Sequence, residues 1–338
     1  MGPAGQNRGI PVNNQLQDRG HGRGKALVLP VLLFLVSGAA GTQAQPPSEA
    51  EDQQDFRLSV DVDLVLLQAT VRDKAGHSMT DLKQQDFTVY EDGHPQAIHL
   101  FRHEDTPLTI GLVVDHSGSM IAKLGEVTVA ARALVRASDP QDELFVVNFN
   151  EKVTLGLSGP LRFSNDPNEL GAAIGQASAV GETALYDAIA AGLEGLQKGT
   201  RDKKVLVVIS DGGDNRSRCR MADVLRMAGL SSAAIYTIGL TDENDPDWNP
   251  KVLQRLAKET GGEAFFPKEV SETIGICRRI ATDVQEQYTL GYIPPKAEAG
   301  VYHKVRVTAH SAEHGKLMVR TRAGYITGRE PKAGSGTR

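Results

Sequence analysis

The chain has only two cysteines, Cys219 and Cys277, in 338 residues. A fold held together by several disulfides is therefore excluded, and stability must come from an apolar core.

Aromatic residues are also scarce, at 5% of the sequence, with a single tryptophan. Nucleic-acid-binding surfaces combine a basic stripe with aromatic side chains, and this chain of net charge −5 has neither pattern. The composition therefore argues against a nucleic-acid partner.

Long apolar runs are absent as well. The run Ala26–Val36 has eleven residues, whereas a helix needs about 20 to cross a bilayer. Basic residues at 19–25 precede it and small residues follow it up to Ala44, which is the order of a secretory signal peptide. We predict a signal peptide at 1–44, a linker at 45–56, and a secreted or periplasmic mature protein. An uncleaved amino-terminal anchor is the alternative, and no other contact with a membrane is expected.

Motifs of the common enzyme classes are missing too. The sequence contains no His-Glu-x-x-His and no phosphate-binding loop, and its nine histidines lack metal-binding spacing. Asp115, His116 and Ser117 are the residue types of a hydrolytic triad, but they are consecutive. Triad members come from separated segments of the chain, so these three residues do not predict a hydrolase. We expect a protein that is not an enzyme.

The most informative stretch begins with the short apolar run Ile110–Val114, which has the length and branching of a strand buried on both faces. It ends in Asp115, Ser117 and Ser119, so that acidic and hydroxyl oxygens gather at the carboxyl end of the strand. Ligands bind at that end of an open parallel sheet, and converging hard oxygens suit a divalent cation. A turn that caps the next helix is the alternative interpretation.

Two later segments favour the metal site. Gly181–Ile189 places Thr183 at the start of a helical pattern, and the buried-strand run Val205–Ile209 is followed by Ser-Asp-Gly, with the carboxylate at Asp211. In this order and at these intervals, the three segments resemble the von Willebrand factor A (VWA) domain and its metal-ion-dependent adhesion site, the MIDAS. The resemblance covers about half of the chain.

The resemblance implies a metal site made of Asp115, Ser117, Ser119, Thr183 and Asp211. By the same resemblance, the hydroxyls of Ser117, Ser119 and Thr183 touch the ion, and the aspartates bind it directly or through water. The implied cofactor is a divalent cation, Mg²⁺ or else Mn²⁺ or Ca²⁺. Because Mg²⁺ takes six oxygens and keeps some waters, a position stays open for a Glu or Asp carboxylate of a partner protein. Glu182, where the family most often has glycine, departs from the pattern, and we expect its side chain to face solvent.

Strand and helix patterns alternate across 106–284, which predicts a doubly wound, mostly parallel sheet, the Rossmann-like VWA fold. About three alternating strands precede it, at 57–105, and about three follow it, at 285–327. Three strands are too few for a core of their own. We therefore predict that the two sets pair into one β-sandwich into which the VWA domain is inserted. The tail 328–338 is polar and predicted to be disordered.

The mature chain as a whole resembles an exported bacterial family described as VWFA-related, acidobacterial type. The resemblance rests on Asp-Phe-Thr-Val-Tyr-Glu-Asp-Gly at 86–93, the site at 115–119, and Tyr-Thr-Leu-Gly-Tyr at 288–292. It supports the predicted fold and export. The predicted metal site favours an adhesion-type protein-binding module. The alternative is a non-catalytic scaffold or assembly subunit of an envelope complex.

The two cysteines allow two interpretations. In an exported chain, Cys219 and Cys277 could form a disulfide. However, Cys277 falls on the apolar stripe of the closing helix predicted at 270–284, where a buried free thiol is ordinary. The sequence leaves both possibilities open.

Overall fold

The computed structural model describes residues 64–178, 180–240, 248–295 and 298–328. The predicted signal peptide and linker, and nearly all of the predicted tail, lie outside these residues. The strands are β1 (Val65–Arg72), β2 (Phe87–Glu91), β3 (His94–Gln96), β4 (Ile98–Arg102), β5 (Leu108–Asp115), β6 (Glu143–Phe149), β7 (Val153–Leu155), β8 (Lys203–Ser210), β9 (Ala234–Gly239), β10 (Ala264–Phe265), β11 (Tyr288–Tyr292), β12 (Tyr302–Ser311), β13 (Gly315–Lys316), β14 (Met318–Arg320) and β15 (Gly324–Ile326). The α-helices are α1 (Leu124–Ala137), α2 (Pro167–Gly175), α3 (Leu185–Gln197), α4 (Met221–Leu230), α5 (Pro250–Thr260) and α6 (Thr273–Gln285).

The central sheet has the strand order β10-β9-β8-β5-β6-β7. Every pair is parallel except β6 with the short edge strand β7. All residues of β5 are buried, because helices cover both faces of the sheet. Leu112 and Val114 pack with α1, α2 and α6, while Val113 packs on the other face with α3, α4 and α5. This confirms the predicted doubly wound, mostly parallel architecture.

Strands from the two ends of the described chain pair with each other in two antiparallel sheets, β14-β1-β11-β4 and β13-β12-β2-β3, with β15 beside β12. In the first sheet Leu67 lies opposite Leu290, and in the second Val89 lies opposite Val307. Side chains of both sheets, including these four and Tyr288, share one apolar core. The predicted sandwich is thus confirmed, and each set of strands gains from the other the core that it lacks alone.

The first strand, β1, pairs with two different neighbours. The change of phase between Leu66 and Leu67 predicts a bulge or a strand that crosses between sheets. No bulge lies at this point, since β1 pairs with β11 in regular register from Val65 to Ala69. From Thr70 onward β1 pairs with β14 instead. Leu67, Ala69 and Val71 all belong to the sandwich core, so from Leu67 onward the apolar alternation follows one face through both pairings.

Two basic side chains of the sandwich hold an aspartate of α6. Asp283 is 1% exposed and accepts hydrogen bonds from Arg72 of β1 and Arg320 of β14. Arg320 also donates to the Glu263 carboxylate and to the Tyr236 hydroxyl. A partly buried ion network, centred on the buried Asp283, therefore joins the sandwich to the last helix of the α/β unit.

Both cysteines are free. Cys277 lies in the apolar core on α6, and burial raises the pKa of its thiol to about 12. Cys219 is half-buried in the loop before α4, where its backbone N–H donates to the Asp187 carboxylate at 2.8 Å. The structure therefore favours two thiols over a disulfide.

We expect iodoacetamide to leave Cys277 unmodified in the native protein, because the reactive thiolate is suppressed and the sulfur is buried. After denaturation without reductant, both Cys219 and Cys277 should be alkylated, as measured by mass spectrometry of peptides. Denatured, unreduced protein that takes up no label would reveal a disulfide and contradict this account.

Just after α5 the backbone passes very close to the backbone of β9. A Cβ added to Gly262 would lie 2.0 Å from the backbone oxygen of Ile235 in β9, whereas one added to Gly275, exposed on α6, would meet nothing within 4 Å. Gly262→Ala should therefore lower the free energy of unfolding by about 2 kcal/mol or more, because backbone must move. Gly275→Ala should leave it unchanged or raise it by up to about 1 kcal/mol. Urea unfolding of the two variants measures the difference, and equal stabilities would refute this packing.

Candidate metal centre

The predicted site lies at the carboxyl end of the central sheet. β5 ends at Asp115 and β8 ends at Ser210, and these strands are parallel neighbours, with Val114 opposite Ile209. The loops that follow two adjacent parallel strands emerge at the same edge of the sheet. The topology therefore places the oxygen-bearing residues of both loops side by side.

The side chains of these two loops are in direct contact. The Ser119 hydroxyl donates to the Asp211 carboxylate, with 2.6 Å between Oγ and Oδ2. The Ser117 and Ser119 hydroxyl oxygens are 3.1 Å apart. The two serine hydroxyls thus lie close to the carboxylate of Asp211, which is more than ninety positions further along the sequence.

Asp115 lies beneath this cluster and is fully buried. Its carboxylate accepts from the Ser117 backbone N–H at 2.8 Å and from the Ser210 hydroxyl at 2.6 Å. Burial, together with the negative charge of Asp211, raises the pKa of Asp115 to about 6. Asp115 therefore fixes the loop that carries the serines, at the cost of holding two carboxylates close together.

Thr183 reaches the same region through its backbone. Its N–H donates to the Asn215 side-chain oxygen at 2.9 Å, and its carbonyl accepts from the Asn215 N–H at 3.0 Å. The carbonyl of nearby Gly181 accepts from the Gly118 N–H at 3.4 Å. The third loop is thus attached to the other two. Among the described residues, no hydrogen bond joins the Thr183 hydroxyl to the other four predicted side chains.

The donors present fit a divalent cation. The set consists of hydroxyl and carboxylate oxygens, which are the ligands that hard cations prefer. Asp115 and Asp211 are both buried, and in the described part of the chain neither forms an ion pair with a lysine or arginine. Buried charges need a partner of opposite sign, and a metal ion at this cluster would provide it.

Two residues that support the site were not predicted from the sequence. Ser210 donates to Asp115 and accepts from the Gly212 N–H at 3.0 Å, and Asn215 ties Thr183 to the loop after β8. The Ser-Asp-Gly triplet after a buried strand was a signal for Ser210. Nothing in the local pattern marks Asn215, since its partner lies in another loop.

Gly212 has a left-handed backbone with φ of +87°, and a Cβ there would lie 2.5 Å from the Asn249 backbone oxygen. Only glycine satisfies both conditions without strain. The loop that presents Asp211 therefore packs closely against the start of α5, which fixes the position of the carboxylate.

His116 does not form a triad with its neighbours. Its ring Nε2 lies 3.0 Å from the Asn148 side-chain oxygen, and the side chain is buried beneath the loop. The Ser117 hydroxyl contacts Ser119 instead of the histidine. Glu182, the departure from the family pattern, is exposed and lies 3.4 Å from the Arg216 guanidinium, between Oε2 and Nε.

Comparisons with known proteins agree with this architecture. The family profile of the von Willebrand factor type A domain matches residues 109–276. A curated relative, the uncharacterized protein sll0103 of Synechocystis sp., is 29% identical over 187 residues, which is 52% of this chain and 41% of the relative. The chain thus matches less than half the length of that relative.

Several solved structures are similar to this chain at low sequence identity. A von Willebrand factor type A protein from Catenulispora acidiphila is 14% identical with a TM-score of 0.47, covering 80% of this chain and 74% of that one. Proximal thread matrix protein 1 from the mussel byssus, with a zinc-occupied MIDAS motif, is 16% identical with a TM-score of 0.46, covering 59% and 50%. The vWF domain of the pilus tip protein Mfa5 from Porphyromonas gingivalis is 13% identical with a TM-score of 0.43, covering 58% and 99%. The match of the family profile shows that the chain contains a von Willebrand factor type A domain, at residues 109–276.

Proposed function

We propose that this chain is a metal-dependent protein-binding module of the adhesion type, in which a divalent cation captures an acidic side chain of a partner protein. VWA domains are commonly metal-dependent protein-interaction modules. The observation that carries the proposal is the contact among Ser117, Ser119 and Asp211, three oxygen donors from two loops at the ligand-binding edge of the sheet.

In this proposal the hydroxyls of Ser117, Ser119 and Thr183 and the carboxylates of Asp115 and Asp211 hold the ion. A bound Mg²⁺, Mn²⁺ or Ca²⁺ supplies an open coordination position for a carboxylate. The chain itself does three things. Asp115 fixes the serine loop through the Ser117 N–H, Ser210 fixes Asp115, and Asn215 holds the threonine loop in place. None of these roles requires a proton transfer or a nucleophile, so we propose binding and not catalysis.

We further propose that the protein is exported, on the strength of the leader pattern at 1–44, and that it is a member of the VWFA-related acidobacterial type. Among the described helices, none has the length and apolarity that a bilayer span requires. The scaffold or assembly subunit of an envelope complex remains the second candidate. The scaffold function differs from the adhesion-type function in one respect: the contacts with the partner would not depend on the metal ion.

A pull-down from the exported fraction tests the proposal. Wild-type protein should retain a partner in Mg²⁺ and release it in EDTA, and Asp115→Ala should retain none. Glu182→Gln is the matched control, because it removes an exposed carboxylate beside the site that contacts none of the predicted ligands. Partner binding that ignores EDTA, or that is lost equally in both variants, would contradict the proposal.

A further inference from the structure

A second polar cavity lies where the sandwich meets the α/β unit. This cleft has a volume of about 480 Å³ and lies between β14, the turn after β1, and the amino-terminal side of β10. Its charged lining consists of Arg72, Arg279, Arg320 and Glu263, and Met318 and Val319 line an apolar side. None of these residues belongs to the metal centre.

The charges around the cleft do not cancel. Arg279 pairs with Glu263 at 2.7 Å, and Arg320 bridges Glu263 and Asp283, with 3.1 Å between Nη2 of Arg320 and Oδ2 of Asp283. Arg72 also pairs with Asp283. Three guanidinium groups thus face two carboxylates, which leaves one positive charge without a counter-charge in this network. Both carboxylates are already shared between two arginines, so they cannot neutralise it further.

Hydrogen-bond donors are left over as well. The Nε atoms of Arg72 and Arg320 are buried and have no acceptor among the residues that the structure describes. Arg279 is the most accessible of the three, with a side chain 45% exposed, and its guanidinium lies 5.1 Å from the centre of the Phe265 ring. A guanidinium has five N–H donors, and Arg279 uses only its Nη2 atom in the hydrogen bonds of the described residues. A cation held by an aromatic ring, with donors free, can receive an anion.

We propose that this cleft binds a small organic anion through a carboxylate or phosphate group. Arginine pairs with both groups through parallel N–H···O bonds, so the chemistry is shared between them. The volume is within the range of small-molecule sites, and the apolar side formed by Met318 and Val319 suits a carbon skeleton attached to the charged group. A bound anion would also contact both halves of the molecule, since Arg72 and Arg320 belong to the sandwich and Arg279 to α6.

The test uses metal-depleted full-length protein, so that the outcome is independent of the metal centre. Thermal unfolding is measured in inorganic phosphate, in succinate, and in chloride at the same ionic strength. We expect phosphate, succinate or both to raise the unfolding temperature above the chloride value. Arg279→Gln should weaken the affinity by about tenfold or more, because a charged hydrogen bond is lost. The fold should survive this change, because Glu263 keeps its pair with Arg320.

Arg278→Gln is the matched control. Arg278 is the preceding residue on α6, is exposed, and does not line the cleft, yet its replacement removes the same charge. It should keep the wild-type response. A response to phosphate alone indicates that the ligand bears a phosphate group, and a response to succinate alone indicates a carboxylate. A response to both indicates that the cleft binds either group through its arginines. No stabilisation of the wild type beyond chloride, or equal responses of the two variants, whether both keep the stabilisation or both lose it, would overturn the proposal.

Discussion

Asp115→Asn should abolish the stabilisation that Mg²⁺ or Mn²⁺ gives the wild-type protein, while its metal-free form unfolds at a temperature no lower than that of the wild type. A ligand present at a hundred times its dissociation constant stabilises a protein by about 2.7 kcal/mol. For a domain of this size that corresponds to a shift of several degrees, at about 2–4 °C for each kcal/mol. The variant should show no such shift in thermal unfolding with and without the ion.

The metal-free variant should remain stable because of the electrostatics of the site. Asp115 and Asp211 are buried carboxylates, and the raised pKa of Asp115, about 6, reflects how unfavourable its ionised form is there. Asparagine keeps the shape and can still accept from the Ser117 N–H, while the Ser210 hydroxyl turns to accept from the new amide. Removing one of two like charges relieves repulsion that only a cation would otherwise balance.

Asp142→Asn provides the matched control. Asp142 is also buried, its pKa is also raised to about 6 by burial, and it accepts from the Leu108 N–H at the opposite end of β5. The Asp142→Asn variant should keep the full metal-dependent shift. A shift that persists in Asp115→Asn, or that disappears in Asp142→Asn, would show that metal stabilisation does not arise at this site.

Asp283→Ala should lower the free energy of unfolding by about 3–5 kcal/mol, the cost of leaving a buried charge without its partner. Asp283 is 1% exposed and receives hydrogen bonds from Arg72 and Arg320. Its removal leaves the Arg72 guanidinium without its carboxylate partner, whereas Arg320 keeps its pair with Glu263. Urea unfolding monitored by circular dichroism measures the loss.

A second variant separates the ion network from simple packing. Adding Arg72→Met to Asp283→Ala removes the guanidinium that has lost its carboxylate and should recover part of the loss, because an apolar side chain is cheaper to bury than an unpaired cation. Glu194→Ala, on the exposed surface of α3, should cost less than about 1 kcal/mol. A loss below that value for Asp283→Ala would mean that the network does not hold the two halves together.

The fold could be predicted because its strongest signals are local. β5 and β8 are apolar runs that end abruptly in polar residues, and the parallel arrangement of such strands brings their ends to one edge. The sandwich could be predicted because each terminal set has too few strands to form a core alone. The parallel pairing of β5 and β8 likewise predicts that Asp115, Ser119 and Asp211 lie close together.

The remaining features depend on contacts between distant residues. Arg72 lies 211 positions from Asp283, and Arg320 lies 84 from Tyr236, so no periodicity in the sequence could pair them. Apolar patterns report which face of an element is buried, but not which polar side chains meet at a junction. Asn215 could not be predicted for the same reason, because its hydrogen bond with Thr183 joins two separate loops.

Diffraction from crystals grown with Mn²⁺, recorded where manganese scatters anomalously, tests the metal centre most directly. The account predicts one strong anomalous peak within about 2.5 Å of the Ser117 and Ser119 hydroxyl oxygens, with Thr183 and Asp211 around it. A second acidic cluster, formed by Glu91, Asp92 and His303, has three potential ligand atoms within 4.8 Å of one another and serves as an internal comparison. A peak at that cluster and none at the serines, or no peak at all, would contradict the central claim.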